Sequence, residues 1–143
     1  MIKTVFHAAL FVLAAAAAQA APSFTMSFVV PCKDGDKPRT IVGDVENLCL
    51  SPDHIIDAAD ITRVQRVPTV NIVTIEITEA ASERLWDASY DKAGERVGVL
   101  FDERLIAAPA IVAPVHTRTL TLILNNDPAD VDALADAFPG KSS

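Results

Sequence analysis

Gly94-Glu95-Arg96-Val97-Gly98-Val99-Leu100-Phe101-Asp102-Glu103-Arg104-Leu105-Ile106-Ala107-Ala108-Pro109 reads as a helix stop, an apolar strand, a two-residue turn and a second strand. Gly94 supplies the positive φ that ends a helix, and Pro109, without an N–H, ends a ladder. Asp102-Glu103 sits between two apolar runs at the spacing of a tight hairpin. The stretch carries a fold pattern and no obvious catalytic group.

Upstream, residues 70–77 (Val70-Asn71-Ile72-Val73-Thr74-Ile75-Glu76-Ile77) are the surest strand, rich in β-branched residues. Thr78 then caps a helix expected to run to about Ala93, with Glu79 in its first turn. Its apolar row is Ala81, Leu85 and Ala88, widened by Trp86, Tyr90 and Ala93. Downstream, residues 120–124 form a strand, and Asp127-Pro128 starts a helix with Val131, Leu134, Ala135 and Phe138 inward. Nearer the amino terminus, residues 23–30 alternate as a strand ended by Pro31, and residues 33–38 are a turn cluster. Residues 40–42 are a candidate short strand, Ser51 and Pro52 predict a short helix over 52–59, and Ile61, Val64 and Val67 follow in extended chain. The expected fold is α+β, ferredoxin-like or related: a mainly antiparallel sheet of about four to five strands with two main helices on one face.

Residues 1–20 are set apart as a signal peptide. Lys3 gives a basic start, an apolar run follows, and Ala18-Gln19-Ala20 is a small-x-small cleavage site. The run is shorter than the about 20 residues of a membrane span. Removing it takes away one basic residue and no acidic one, so the charge falls from −7 for 143 residues to −8. The expected location is periplasmic or secreted, with no later membrane span. An acidic surface disfavours nucleic acid and anionic lipid as partners. Residues 21–50 are an amino-terminal strand and a cysteine-bearing loop, 51–139 the main domain, and 140–143 a tail.

Cys32 and Cys49 are an even pair in an exported chain, which favours a disulfide; closing that loop is worth about 3 kcal/mol on a chain-entropy argument. A thiol nucleophile would need a nearby histidine, and a zinc site would need more ligands. Glu79, Glu83, Asp87 and Asp91 make an acidic helical row, read as a solvated face in preference to a cation strip. Asp53, His54 and Asp57 within one helical turn could orient an imidazole, but no Gly-x-Ser-x-Gly elbow supplies a nucleophile. No catalytic, cofactor or metal residue is therefore assigned. Trp86 and Tyr90, one turn apart, suit core packing first and an interaction surface second.

Several of these pieces, in order, resemble the head of the first periplasmic domain of SecD, a subunit of the bacterial protein-export machinery. Asp57-Ala58-Ala59 stands where that family begins its first strand, and Pro68-Thr69-Val70-Asn71-Ile72 is similar to its proline-then-strand segment. Residues 94–102 resemble its Gly-Lys-x-Leu-Ala-Ile-Val-Leu-Asp strand, and Ala107-Ala108-Pro109-Ala110-Ile111 its Ser-Ala-Pro-x-Ile segment. Residues 130–138 resemble its closing helix, so the likeness covers about residues 51–138. Two departures stand out: Glu103 occupies the place of the family's turn glycine, and Pro114-Val115-His116-Thr117-Arg118 replaces its glycine-rich link. The membrane-embedded groups on which the family's proton coupling depends are not in this sequence.

The resemblance implies a non-enzymatic protein-interaction module in the periplasm, a free-standing secreted copy that contacts a protein or polypeptide partner through an exposed strand edge. The alternative is a periplasmic inhibitor or immunity-type protein steered to a basic enzyme by its charge. A small hydrolase or metal-dependent enzyme centred on His54, Asp57 or the cysteines ranks third. Composition and pattern leave oligomeric state open.

Overall fold

A computed structural model describes residues 22–41, 44–124 and 128–139. The signal segment 1–20, the tail 140–143, Val42 and Asp127 lie outside the described residues. Seven strands and two helices follow in order: β1 (Phe24–Val30), β2 (Cys49–Asp57), β3 (Ile61–Arg66), β4 (Ile72–Ile77), α1 (Glu79–Ser89), β5 (Val97–Phe101), β6 (Arg104–Ala107), β7 (Thr119–Ile123) and α2 (Pro128–Ala137). The class is α+β. The strands divide into two antiparallel sheets, β2-β1-β5-β6 and β3-β4-β7, where the pattern had led us to expect one sheet of four to five. Each helix packs mainly on its own sheet, α1 on β2 and α2 on β3 and β4. A single core joins both layers, with Phe24, Val99, Ile75, Ile77, Val131 and Leu134 fully buried.

The expected helix over 52–59 is replaced by strand β2 and a single 3-10 turn at Ala58–Asp60. Ser51-Pro52-Asp53 mimics a helix start, but β2 pairs with β1, and sheet pairing outweighs a local cap. The register jumps from Val29↔Leu50 to Ser27↔His54, so Pro52 sits in an irregular stretch where a missing N–H costs little. Asp57 instead caps the 3-10 turn: its Oδ1 accepts from the Ala59 N–H at 2.9 Å, and the Asp57 N–H donates to Asp60 Oδ2 at 3.0 Å. Residues 61–66, expected only as extended chain, form β3 beside β4. Thr40 and Ile41, the described part of the expected strand over 40–42, belong to no named strand; the nearest feature is an isolated bridge between Arg39 and Leu48.

Helix α1 stops at Ser89, short of Ala93, because Tyr90 turns extended (φ −61°, ψ 132°) and Asp91 takes φ 58°. Val97–Phe101 and Arg104–Ala107 pair as a hairpin with Phe101 opposite Arg104. Asp102 and Glu103 both have positive φ, 47° and 66°, the geometry of a two-residue turn whose twist matches the strands. Glu103 thus holds a conformation in which glycine is less strained. Arg39 braces it, its guanidinium donating to the Glu103 carbonyl at 2.5 Å. At Gly98 an added Cβ would lie 2.3 Å from Leu50 Cδ2, so this glycine permits the close approach of that side chain.

Candidate functional site

Thr119-Leu120-Thr121-Leu122-Ile123 alternates so that the leucines face the core and Thr119, Thr121 and Ile123 face out. Pairing with β4 is regular from Glu76↔Thr119 to Ile72↔Ile123, without a bulge. The Ile77 N–H donates to the Arg118 carbonyl at 2.9 Å and the Leu124 N–H to the Asn71 carbonyl at 2.8 Å. In an antiparallel ladder those bonds fix the parity. Residues 118, 120, 122 and 124 turn their peptide groups to β4, and 119, 121 and 123 turn theirs away. Thr119 is satisfied locally: its N–H donates to Thr117 Oγ1, which donates in turn to the Thr119 carbonyl, both at 3.1 Å. Thr121 and Ile123 are the outward peptide groups that remain.

That edge borders a cleft between the two sheets. A cavity of ≈ 330 Å³ is lined by Ile106, Ala107, Pro109, Thr121, Leu122 and Ile123, with Asp44 and Arg96 at its rim. An adjoining, mainly apolar cavity of ≈ 170 Å³ is lined by Leu85, Val97, Ile111, Val115, Leu120 and Leu122. Pro109, Thr121 and Leu122 belong to both. Two of the exposed large apolar side chains flank this cleft, Ile123 at 62% and Val112 at 87% exposure. Arg96 is committed elsewhere, to Glu46 at 2.9 Å and to the Ala108 carbonyl at 3.1 Å. Asp44 has no cation within ion-pair distance among the described residues; its Oδ1 accepts the Val45 N–H at 2.7 Å.

The wall of the cleft is residues 108–118, and two serines of α1 hold it. Ser82 Oγ donates to the Thr117 carbonyl, and Ser89 Oγ accepts the Val115 N–H, both at 2.8 Å. Both serines are buried among apolar neighbours, so each hydrogen bond matters more than a surface one would. Trp86, half-buried, and Tyr90, exposed, lie outside this wall. Tyr90 is 57% exposed, its ring 5.9 Å from that of Trp86, and the His116 ring is 5.2 Å from Trp86. His116 Nε2 reaches Glu83 Oε1 at 3.3 Å.

The other candidates are dispersed. His54 and Asp57, expected as neighbours on a helical turn, instead lie on strand β2 with a register shift between them, opposite Ser27 and Thr25, and Asp57 is used as a cap. His54 instead lines a cavity of ≈ 510 Å³ with Asp53, Arg84 and Asp87. Arg84 pairs with Asp60 at 2.5 Å, and that hydrogen bond, opposed by partial desolvation and helped by the charges of Asp60 and Asp57, holds the guanidinium pKa above its ordinary value. Glu79, Glu83, Asp87 and Asp91 are all exposed, and Asp91 lies beyond the helix. Among the described residues no three His, Cys, Asp or Glu side chains are placed to hold a metal ion. Cys32 and Cys49 are joined by a disulfide with Cα atoms 5.2 Å apart. No helix among the described residues is long and apolar enough to cross a membrane.

No protein-family model matches the chain, and no curated protein matches its sequence. Solved structures do match. One is SecDF, described as a membrane component that enhances protein export: TM-score 0.62, 13% identity, 85% of this chain and 64% of that one. Another is SecDF in its super-membrane-facing form: TM-score 0.61, 13% identity, 85% of this chain and 19% of that one. The chain thus spans less than two thirds of the length of either. At this identity the likeness is one of fold, and the chain has the fold of a SecD-like domain.

Proposed function

We propose that this protein is a secreted, non-enzymatic interaction module of the cell envelope that holds an extended polypeptide along the free edge of β7. The observation that carries this reading is the pair of outward peptide groups at Thr121 and Ile123, bordering a mixed polar and apolar cavity that adjoins a mainly apolar one. An extended chain needs partners for its own N–H and C=O groups, and an open strand edge supplies them at matching spacing. The role of SecDF in enhancing protein export makes a polypeptide the natural ligand class. Secretion draws on the Lys3 start, the apolar run and the Ala18-Gln19-Ala20 site, and on the Cys32–Cys49 disulfide, a bond that persists in oxidising compartments. Trp86 and Tyr90, just beyond the loop that walls the cleft, extend the contact surface.

A Thr121→Pro variant tests the assignment. The Thr121 N–H points away from β4, so proline there removes an outward donor and spares the ladder. The wild type should bind a fluorescently labelled, reduced and unfolded polypeptide, and the variant should bind it at least about tenfold more weakly, the factor that one lost hydrogen bond commands. Equal binding by the two proteins, with folding intact, would place the ligand elsewhere.

A further inference from the structure

We infer that the cleft selects its polypeptide by register: a basic residue, a large apolar residue two positions later and a smaller apolar one two positions after that, in a segment antiparallel to β7. This rests on the polypeptide-binding reading above and refines it.

The first step is parity. On β7, among the described residues, Thr121 and Ile123 offer the free outward peptide groups, so a bound segment exchanges its hydrogen bonds with those two residues. Antiparallel pairing is the more stable arrangement per residue, and both sheets already use it throughout. Residues opposite each other in such a pair point to the same face. The segment residues opposite Ile123 and Thr121 therefore point outward. Those opposite Leu122 and Leu120 point inward, into the cleft.

The second step is order. The chain direction of an antiparallel segment meets Ile123 first and Leu120 last. Ile123 lines only the larger cavity, of ≈ 330 Å³, and Leu120 only the smaller, of ≈ 170 Å³. The earlier inward residue thus enters the larger space and the later one the smaller. Large-x-small in that order follows from the sizes of the two cavities.

The third step is charge. Asp44 stands at the rim of the larger cavity without a cation partner among the described residues, while Arg96 beside it is neutralised by Glu46. The whole chain carries −7. A lysine or arginine two positions before the large apolar residue shares its inward face and meets a carboxylate there, and complementary charge favours that segment over an acidic one.

Five capped synthetic peptides test the inference on the full chain by titration calorimetry. The parent carries Lys-Thr-Phe-Thr-Val; a second swaps the apolar residues to Lys-Thr-Val-Thr-Phe; a third makes them adjacent as Lys-Thr-Phe-Val-Thr. Two more are the parent N-methylated either at the threonine between Phe and Val, which faces the edge, or at Phe, which does not. The parent and its Phe-methylated form should bind alike, and the other three about tenfold or more weakly, the cost of about one misplaced group. Asp44→Asn should remove the advantage of the parent over a sixth peptide, Gln-Thr-Phe-Thr-Val. Binding of all five with equal affinity, lost in Thr121→Pro, would overturn the register and leave the polypeptide site standing. No binding of any peptide, or binding untouched by Thr121→Pro, would overturn both. A stable dimer that no peptide dissociates would assign the edge to a second copy and overturn the inference.

Discussion

The two edges of the three-stranded sheet are treated in opposite ways. At β3 the outward Val64 N–H donates to the Phe138 carbonyl at 3.0 Å, just past α2, and Arg66 is ion-paired with Asp132 on that helix. At β7 nothing comparable among the described residues covers Thr121 and Ile123. The other sheet blunts its edges too: β2 carries Pro52, Asp53 and register shifts, while β6 is four residues long and opens on Arg104, held by Asp130 at 2.8 Å and 3.3 Å. Open strand edges invite pairing with other chains, and folded proteins usually block them with charge, proline, bulges or cover. Among the described residues β7 has none of these, and that contrast with the other three edges is what the proposed polypeptide contact rests on.

Uncovering the protected edge should have the largest effect. Leu134→Ala removes a fully buried anchor of α2 and should cost about 3 kcal/mol in denaturant unfolding. If β3 is kept monomeric by that cover, the variant should also self-associate at concentrations where the wild type does not. Ser89→Ala comes next. It strands the Val115 N–H behind the cleft and should cost about 2 kcal/mol, with weaker polypeptide binding as the wall loosens. Glu103→Gly should act in the other direction, stabilising by about 1 kcal/mol because glycine takes φ 66° without strain, and should leave polypeptide binding unchanged. Smallest in stability is Ile123→Lys on the bare edge, within about 0.5 kcal/mol of wild type. Its binding of an apolar, basic peptide should nonetheless fall sharply, since a lysine there blocks an edge by charge.

The hairpin around Asp102-Glu103, the strand at 72–77 and the Thr78 cap were legible because each depends on neighbours in sequence. The 52–59 segment was misread because its cap and proline are local signals overruled by pairing with β1, some thirty residues earlier. The division into two sheets depends on which strands become neighbours, and no local pattern states that. The same holds for the candidate site. The alternation of Thr119 to Ile123 shows a half-buried strand, yet not that its far side is left open. Ser82 and Ser89 did leave a trace: they fall with Leu85 at three- and seven-residue steps on the buried stripe of α1, where a polar side chain needs a partner. Trp86 and Tyr90 resemble that stripe in spacing but lie one position round from it, enough to bring Tyr90 to the surface.

Amide hydrogen exchange resolved at single residues tests the central claim most directly. In the free protein Leu120 and Leu122, bonded to β4, should be protected, while Thr121 and Ile123 exchange quickly. Saturation with the Lys-Thr-Phe-Thr-Val peptide should slow Thr121 and Ile123 and leave Leu120 and Leu122 as they were. Fast exchange at Thr121 and Ile123 in both states, or protection of both already in the free protein, would contradict a polypeptide-binding edge at β7.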